Sequence, residues 1–287
     1  MRMEIPLSPQ ENEALRNLHS IILCAGEGTR FGEKTELIPK PLIKNEKLNN
    51  KPILLHTINH LIQSRIRNIT IIEGYRGDQI EEYISSLKKE AEYKDLNLIT
   101  IDSEGEYQKG PFYSFLSIRK NKILLNENHF YLIIPGDTIF ESGFFQYITQ
   151  FYCENTSILS KFPYLFYRTV KIKKIESKRY FPIVKSKPLN QSLLNEIQLQ
   201  KRDELSNQKE IKQLYPILLL SFQLFQKVIE SEKRFKGKSL RDWLNFYSYE
   251  GNKIHVHEIK KGYEFFDIDT PNDLKSYKKK KVDNRFH

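Results

Sequence analysis

The sequence predicts an α/β fold with a mostly parallel central sheet flanked by helices, and three observations carry that prediction. Short, largely apolar runs of strand length, Ile21–Leu23, Ile69–Glu73, Leu96–Ile101 and Phe130–Ile134, alternate with longer stretches of helical period. The run Phe130–Ile134 is almost wholly apolar, as in a strand covered on both faces. Glycine-containing turns follow three of these runs: Gly26, Gly28 and Gly32 after the first, Gly74 and Gly77 after the second, Gly136 after the last.

The elements follow in order. Ser8 and Glu11 have the spacing of a capping box and open a short helix through Arg16. After the first glycine turn, apolar residues at Ile53, Leu54, Ile58, Leu61 and Ile62 mark a helix over 51–65, with Pro52 near its start. A second helix is expected over 79–89, a third from the segment Tyr107–Phe115 to about Lys122, and a fourth over 141–153. Residues 158–183 carry two or three β-rich pieces, and the polar stretch 185–212 is assigned to a small β-rich insertion on the acceptor side. Tyr215–Ser221 returns as a strand, Phe222–Ser231 and Leu240–Tyr247 as helices, and Ile254–Ile259 and Phe265–Ile268 as the last strands. A final helix over 272–277 starts at Thr270, its cap, and Pro271. The expected division is a leader over 1–19, one domain over 20–277 and a basic tail over 278–287.

With 287 residues the chain is long enough to bury a full sheet between helices. No apolar run approaches the ~20 residues of a membrane span. The first 19 residues contain Glu4, Glu11 and Glu13 and no continuous apolar segment, so they do not read as a secretory signal. Two distant cysteines, Cys24 and Cys153, make no disulfide framework, and a cytoplasmic location is expected. The net charge of +10 is spread along the chain, with its densest runs at Lys171–Lys174 and Lys278–Lys281, and does not read as a nucleic-acid stripe. A positive field of this kind attracts a triphosphate and a phosphorylated acceptor.

The first strand delivers the backbone into Ala25-Gly26-Glu27-Gly28-Thr29-Arg30, a phosphate-binding proposal. Glycines let backbone N–H groups approach an anion, and Arg30 and Lys40 supply positive charge from the side. A dinucleotide fingerprint would need glycine where Phe31 stands, and a P-loop needs a Gly-Lys-Ser/Thr that is missing. The ordered set Ala25–Arg30, Thr35 and Pro39-Lys40-Pro41-Leu42 instead resembles the signature of the sugar-phosphate nucleotidyltransferase superfamily. Phe265-Phe266-Asp267-Ile268-Asp269-Thr270-Pro271-Asn272-Asp273-Leu274 resembles that superfamily's C-terminal signature. The resemblance runs from Ser20 to Tyr277 and implies a single Rossmann-like (GT-A-like) domain.

It also implies a reaction: transfer of a nucleoside monophosphate from an NTP to a phosphorylated small molecule, with release of pyrophosphate and with Mg²⁺ as cofactor. Both partners are anions, so the site needs a backbone cradle, cations, and carboxylates to seat the metal. By the resemblance, Leu23, Ala25, Gly26, Glu27, Gly28 and Thr29 cradle the nucleotide. Arg30 would hold its β- and γ-phosphates, and Lys40 the α-phosphate and the acceptor phosphate. Asp137 would be a metal ligand, following a buried strand at the carboxyl edge of the sheet. Asp267 and Asp269 share one face if their segment is a strand, and either would be the second ligand, Asp267 preferred. Asp273 reads as a first-turn residue favoured by the helix dipole.

Gly110, Tyr113 and Ser114 occupy the place of the base-contacting loop. This segment and Gly74-Tyr75-Arg76-Gly77 look like the cytidylyltransferase branch that acts on inositol phosphate or phosphocholine, which favours CTP. The acceptor is a sugar phosphate, inositol phosphate or phosphocholine-like molecule, for which Arg168, Arg179 and Lys185 are the basic residues in the right half of the chain. Two alternatives stay open: a nucleotide-sugar-dependent glycosyltransferase of related fold, since Asp267-Ile268-Asp269 also spells its metal motif, and a non-catalytic nucleotide-binding subunit. Preference for NTP over nucleotide-sugar separates the first from the transferase, and turnover separates the second.

Overall fold

The computed structural model describes residues 8–172, 180–205 and 208–279. Helix α1 (Pro9–Arg16) opens on the expected box, in which Ser8 caps the Glu11 amide and the Glu11 carboxylate accepts from the Ser8 amide. Strand β1 (Leu18–Leu23) follows, longer at its start than the apolar run indicates. After the glycine turn come α2 (Glu33–Leu37), the two-residue strands β2 (Lys44–Asn45) and β3 (Lys51–Pro52), α3 (Ile53–Gln63), β4 (Asn68–Glu73), α4 (Gly77–Leu87) and β5 (Asn97–Asp102). Helix α5 (Pro111–Leu116) is short and leads through single 3₁₀ turns to β6 (Phe130–Pro135) and β7 (Thr138–Phe140). The rest is α6 (Phe144–Leu159), β8 (Tyr164–Lys171), β9 (Tyr180–Lys187), β10 (Asn190–Lys201), β11 (Glu210–Ser221), α7 (Phe222–Ser231), α8 (Leu240–Tyr249), β12 (His255–Glu258), β13 (Phe265–Asp267) and α9 (Pro271–Lys279).

Among the described residues, nine strands form one sheet in the order β5-β4-β1-β6-β11-β8-β12-β10-β9. The expected mostly parallel sheet is found only in its first half, where β5, β4, β1 and β6 run parallel. Beyond β6 the sheet is mixed: β11 is antiparallel to β6 and β8, β12 is parallel to β8, and β10 is antiparallel to β12 and β9. The reason lies in the connections, because a parallel neighbour needs a crossover whereas β9 and β10 are joined by only Pro188 and Leu189. The described residues of the polar stretch 185–212 are therefore not a separate insertion: they carry the end of β9 and the whole of β10, at the far edge of the same sheet, and the start of β11. The strand period of this stretch was masked by register shifts between Asn190 and Glu196, which break the alternation a single reading frame relies on. Residues 158–159 belong to α6, which bends at Asn155, and not to the β-rich region.

Period-two burial assigns the strands to two cores. In β1, Leu18 and Ile22 face one side and Ile21 the other; in β6, Leu132 and Ile134 face the first and Tyr131 and Ile133 the second. Helices α3, α4 and α6 cover the first side, and α5, α7 and α8 the second, where Trp243 is fully buried with its indole donating to Ser231. A third, small cluster of Phe31, Ile43, Leu48, Ile53, Ile139, Ile268, Leu274 and Tyr277 fastens the glycine loop, β7 and α9 to one another. This cluster sets the position of the site.

Candidate active site

The site lies at the carboxyl ends of β1 and β6, the edge where open α/β sheets accept ligands. Strand β1 ends at Leu23 and its loop is bent by Gly28, whose φ of +65° only glycine adopts without strain. Thr35 ties the loop back by donating its hydroxyl to the carbonyls of Gly28 and Gly32 at 3.2 and 2.9 Å. Lys40 follows between Pro39 and Pro41, and its side chain is 8% exposed.

A lysine that buried needs counter-charge, and it has two. Its Nζ lies 2.5 Å from Asp137 and 3.4 Å from Asp269. Arg30 grips the same Asp269 with two nitrogens, at 3.0 and 3.1 Å, the fork geometry that matches a carboxylate. Four residues from three distant parts of the chain thus form one charge network. Asp137 is brought there by β6 and by Gly136, where a Cβ would stand 2.4 Å from the Cys24 sulfur and 2.9 Å from the Leu23 carbonyl.

Strand β13 supplies the other wall. It pairs antiparallel with β7, setting Asp267 opposite Thr138, and the Ile268 amide donates to the Asp137 carbonyl at 3.0 Å. The strand ends at Asp267, so Asp267 and Asp269 do not share a strand face as the alternation suggested. Asp267 accepts a 2.6 Å hydrogen bond from Thr138, while Asp269, past the turn, reaches the cations. Asp273 fixes that turn: its carboxylate accepts from the Asp269 amide and from the Thr270 amide and hydroxyl, and the Thr270 hydroxyl caps the Asp273 amide.

A cleft of about 280 Å³ opens beside the network. Of the residues singled out in the sequence, Leu23, Ala25, Gly26, Gly28, Arg30, Lys40, Ser114 and Asp137 line it. Glu27 and Thr29 lie on the same loop, outside that lining. Tyr113 packs edge-on against Phe112 with the Lys109 ammonium over its ring. Gly110 serves a different contact: at φ +121°, its Cβ would stand 2.5 Å from the Lys238 carbonyl, so the close approach it permits is to Lys238. Pro41, quoted as part of the signature, also lines the cleft, as do Tyr107, Pro111 and Pro135, to which the sequence reading gave no role. Tyr107 sits between two glycines at positive φ, Gly105 and Gly110, a signal that was readable.

The carboxylates on Lys40 form a donor set that fits a hard divalent cation: two oxygen ligands from opposite walls, with phosphate and water left to complete the shell. Among the described residues no three His, Cys, Asp or Glu side chains form a closed metal cage. Burial pushes the Cys24 thiol well above its usual range, and Asp137 and Glu73 add to the effect, which keeps it protonated. Glu73, at the end of β4, was missed by the sequence reading. It is 5% exposed, and burial, helped by Glu81, Asp102 and Asp78, raises its carboxyl to about 7.

The basic residues named for an acceptor fare differently. Arg168 is held by protein groups, Lys185 lies opposite Glu196 in the β9–β10 pair, and Arg179 lies outside the described residues. His255 stacks on Tyr164 and His257 bonds Tyr147, both structural positions.

The family model described as nucleotidyl transferase matches residues 19–164, just over half of the chain. The chain belongs to the nucleotidyl transferase family. Among curated relatives of this nucleotidyl transferase family member, the mannose-1-phosphate guanylyltransferase catalytic subunit beta of Drosophila melanogaster is 31% identical over 156 residues, 52% of this chain and 39% of the relative. A probable glucose-1-phosphate cytidylyltransferase of Bacillus subtilis is 35% identical over 91 residues, 32% of this chain and 33% of the relative. The chain thus spans well under two thirds of the length of these relatives.

Two solved structures share the fold of the family member. A putative glucose-1-phosphate thymidylyltransferase from Bacillus anthracis superposes with a TM-score of 0.64 at 17% identity, covering 90% of this chain and 93% of that one. The CTP:phosphocholine cytidylyltransferase from Streptococcus pneumoniae superposes with a TM-score of 0.61 at 19% identity, covering 91% and 97%.

Proposed function

We propose that this protein transfers a nucleoside monophosphate from an NTP to a phosphorylated small molecule and releases pyrophosphate, with Mg²⁺ as cofactor. The observation that carries the reading is the buried Lys40 ammonium closed between Asp137 and Asp269 at the rim of a glycine loop. A site with this much opposed charge is built to exchange it with a charged ligand.

In the proposed reaction the backbone of Ala25–Thr29 cradles the triphosphate, and Arg30 and Lys40 offset the repulsion between two anions while the acceptor oxygen approaches the α-phosphorus in line. Arg30, its side chain 72% exposed, would exchange Asp269 for the β- and γ-phosphates, whereas Lys40 is held at the inner end of the cleft, where the reacting phosphorus would lie. No side chain is required as a covalent nucleophile, because the acceptor's own phosphate attacks. Asp137 and Asp269 would hold the metal, with Asp267 and Thr138 completing the wall behind them; the metal supplies charge stabilisation for the phosphates it touches.

CTP is the nucleotide we propose. The segment Tyr113-Ser114 and the turn Tyr75-Arg76 support it, as does similarity to a probable glucose-1-phosphate cytidylyltransferase. The proposed acceptor is a sugar phosphate, inositol phosphate or phosphocholine. The test is pyrophosphate release with each NTP, Mg²⁺ and a panel of these acceptors. CTP with at least one acceptor should turn over; no release with any pair, or release of nucleoside diphosphate from a nucleotide-sugar, overturns the reading.

A further inference from the structure

The segment that carries Asp267 and Asp269 into the site is anchored at its other end by a single buried arginine. Arg168, on β8, is 9% exposed. Its Nε donates to Gln213 at 3.0 Å, and its Nη1 donates to the Tyr263 carbonyl at 3.0 Å and lies 2.9 Å from the Glu264 carboxylate. Its guanidinium carbon stands 5.0 Å over the Phe265 ring. One side chain thus touches three consecutive residues, 263, 264 and 265.

The same residues are gripped from two other elements. The Tyr215 hydroxyl, on β11, donates to the Tyr263 carbonyl at 2.8 Å. Glu141, just after β7, exchanges two hydrogen bonds with Glu264: its carboxylate accepts from the Glu264 amide, and its amide donates to the Glu264 carbonyl. From there the β7–β13 register runs Phe265 to Phe140, Phe266 to Ile139, and Asp267 to Thr138, which is the residue after Asp137. The ladder is only three residues long, too short to hold its register by its own hydrogen bonds. Where its far end is fixed decides where the two aspartates stand.

We propose that Arg168 is a positioning residue for the metal-binding carboxylates: it does not meet the acceptor phosphate but sets the register of β13 and so the placing of Asp269, with Asp267 in the wall behind it, against Asp137. This rests on the reading of those aspartates given above. The guanidinium is suited to the task because one planar fork can serve a carbonyl, an amide oxygen and a carboxylate at once while stacking on a ring. Lysine, with one point of attachment, can keep the charge but not the fork.

The test is the affinity of the full-length protein for Mn²⁺, read by electron paramagnetic resonance in the presence of CTP, alongside binding of metal-free CTP and the KM values for CTP and acceptor. For Arg168→Met, the expected result is a Mn²⁺ dissociation constant raised about tenfold or more with metal-free CTP binding no weaker than in the wild type, and for Arg168→Lys an intermediate value. A variant that merely lost stability would show a lower melting temperature and a smaller active fraction, with the metal affinity of that fraction unchanged. That result, or a rise confined to the acceptor KM, overturns the proposal. If Arg168→Met does not fold, Arg168→Lys and Tyr215→Phe decide: both loosen the same carbonyl, and normal Mn²⁺ affinity in both is equally fatal. Wild-type protein that takes up neither Mn²⁺ nor CTP would instead sink the site itself.

Discussion

Lys40 and Arg30 share Asp269, so each charge that a nucleotide or metal would use is already engaged. Metal-free nucleotide must draw the cations away from that part-buried carboxylate, which costs more than breaking an exposed pair. Replacing Asp269 with Asn should therefore tighten metal-free CTP binding, by about tenfold for a ~1.4 kcal/mol gain, and abolish most of the further gain that Mg²⁺ brings. Calorimetric titration with and without chelator checks both; Glu36→Gln, which removes a charge from the exposed neighbouring helix, controls for net charge alone. Glu73 offers a second residue-scale prediction. Its folded carboxyl titrates near 7, above its ordinary 4.5, so the folded state holds the proton more firmly. The stability this gives is fully present below about 4.5 and is lost as the pH rises through about 7. One carboxyl oxygen, Oε2, is buried without a hydrogen-bond partner among the described residues. Glu73→Gln should raise stability at pH 8 by roughly 1–3 kcal/mol and have little effect near pH 4.5, as read by urea unfolding.

At the scale of elements, the glycine loop, Pro39–Leu42, Asp137 and the Asp267–Asp273 segment were all legible, because each joins a strand or helix signal to residues with one chemical use. The contacts of Arg168 with Tyr263 and Glu264 were not legible, since a basic residue in a β-rich stretch looks the same in sequence whether it meets a substrate or a carbonyl. Gly110, placed by resemblance in the base-contacting loop, makes its close approach to Lys238, which the sequence did not indicate. Both are contacts between residues far apart in the chain, which local propensity does not signal. Gly136 makes the same point in a testable form. It joins β6 to Asp137, and a methyl group there meets the Cys24 sulfur and the Leu23 backbone at distances real side chains do not reach. Gly136→Ala should cost about 1–3 kcal/mol in stability and displace Asp137, lowering turnover with any nucleotide. Chemical unfolding and pyrophosphate release check the two halves separately, and Cys24→Ala should not restore the first, because the Leu23 carbonyl remains in the way.

For the whole molecule, the parallel half of the sheet was readable from its alternation of apolar strands and periodic helices, and the antiparallel half was not. The bulged hairpin of β9 and β10 loses its period, and no local signal marks a chain that switches from crossovers to hairpins. The core carries a pH liability of its own. Burial lowers His19 to about 3, His56 to about 4 and His60 to about 3, with His56 and His60 only 4.1 Å apart and His19 as close to His129. These rings fold neutral, so the unfolded chain binds protons more readily, and stability that holds above about 6.5 is lost as the pH falls towards 3–4. At pH 5 each costs about 2 kcal/mol, which Glu73 offsets in part, leaving a loss of about 4 kcal/mol against a typical total of 5–15 kcal/mol. The melting temperature should therefore drop steeply between pH 7 and 5, and His60→Leu should flatten that profile.

Asp269 follows Lys40 by 229 residues. A chain still emerging from the ribosome can build the glycine loop, the parallel half-sheet and the Lys40–Asp137 contact long before β13 and α9 exist to close the second wall. Asp269 thus joins the charge network only after Arg30, Lys40 and Asp137 have been made, and a chain released before β13 would hold the Lys40–Asp137 contact without the second wall.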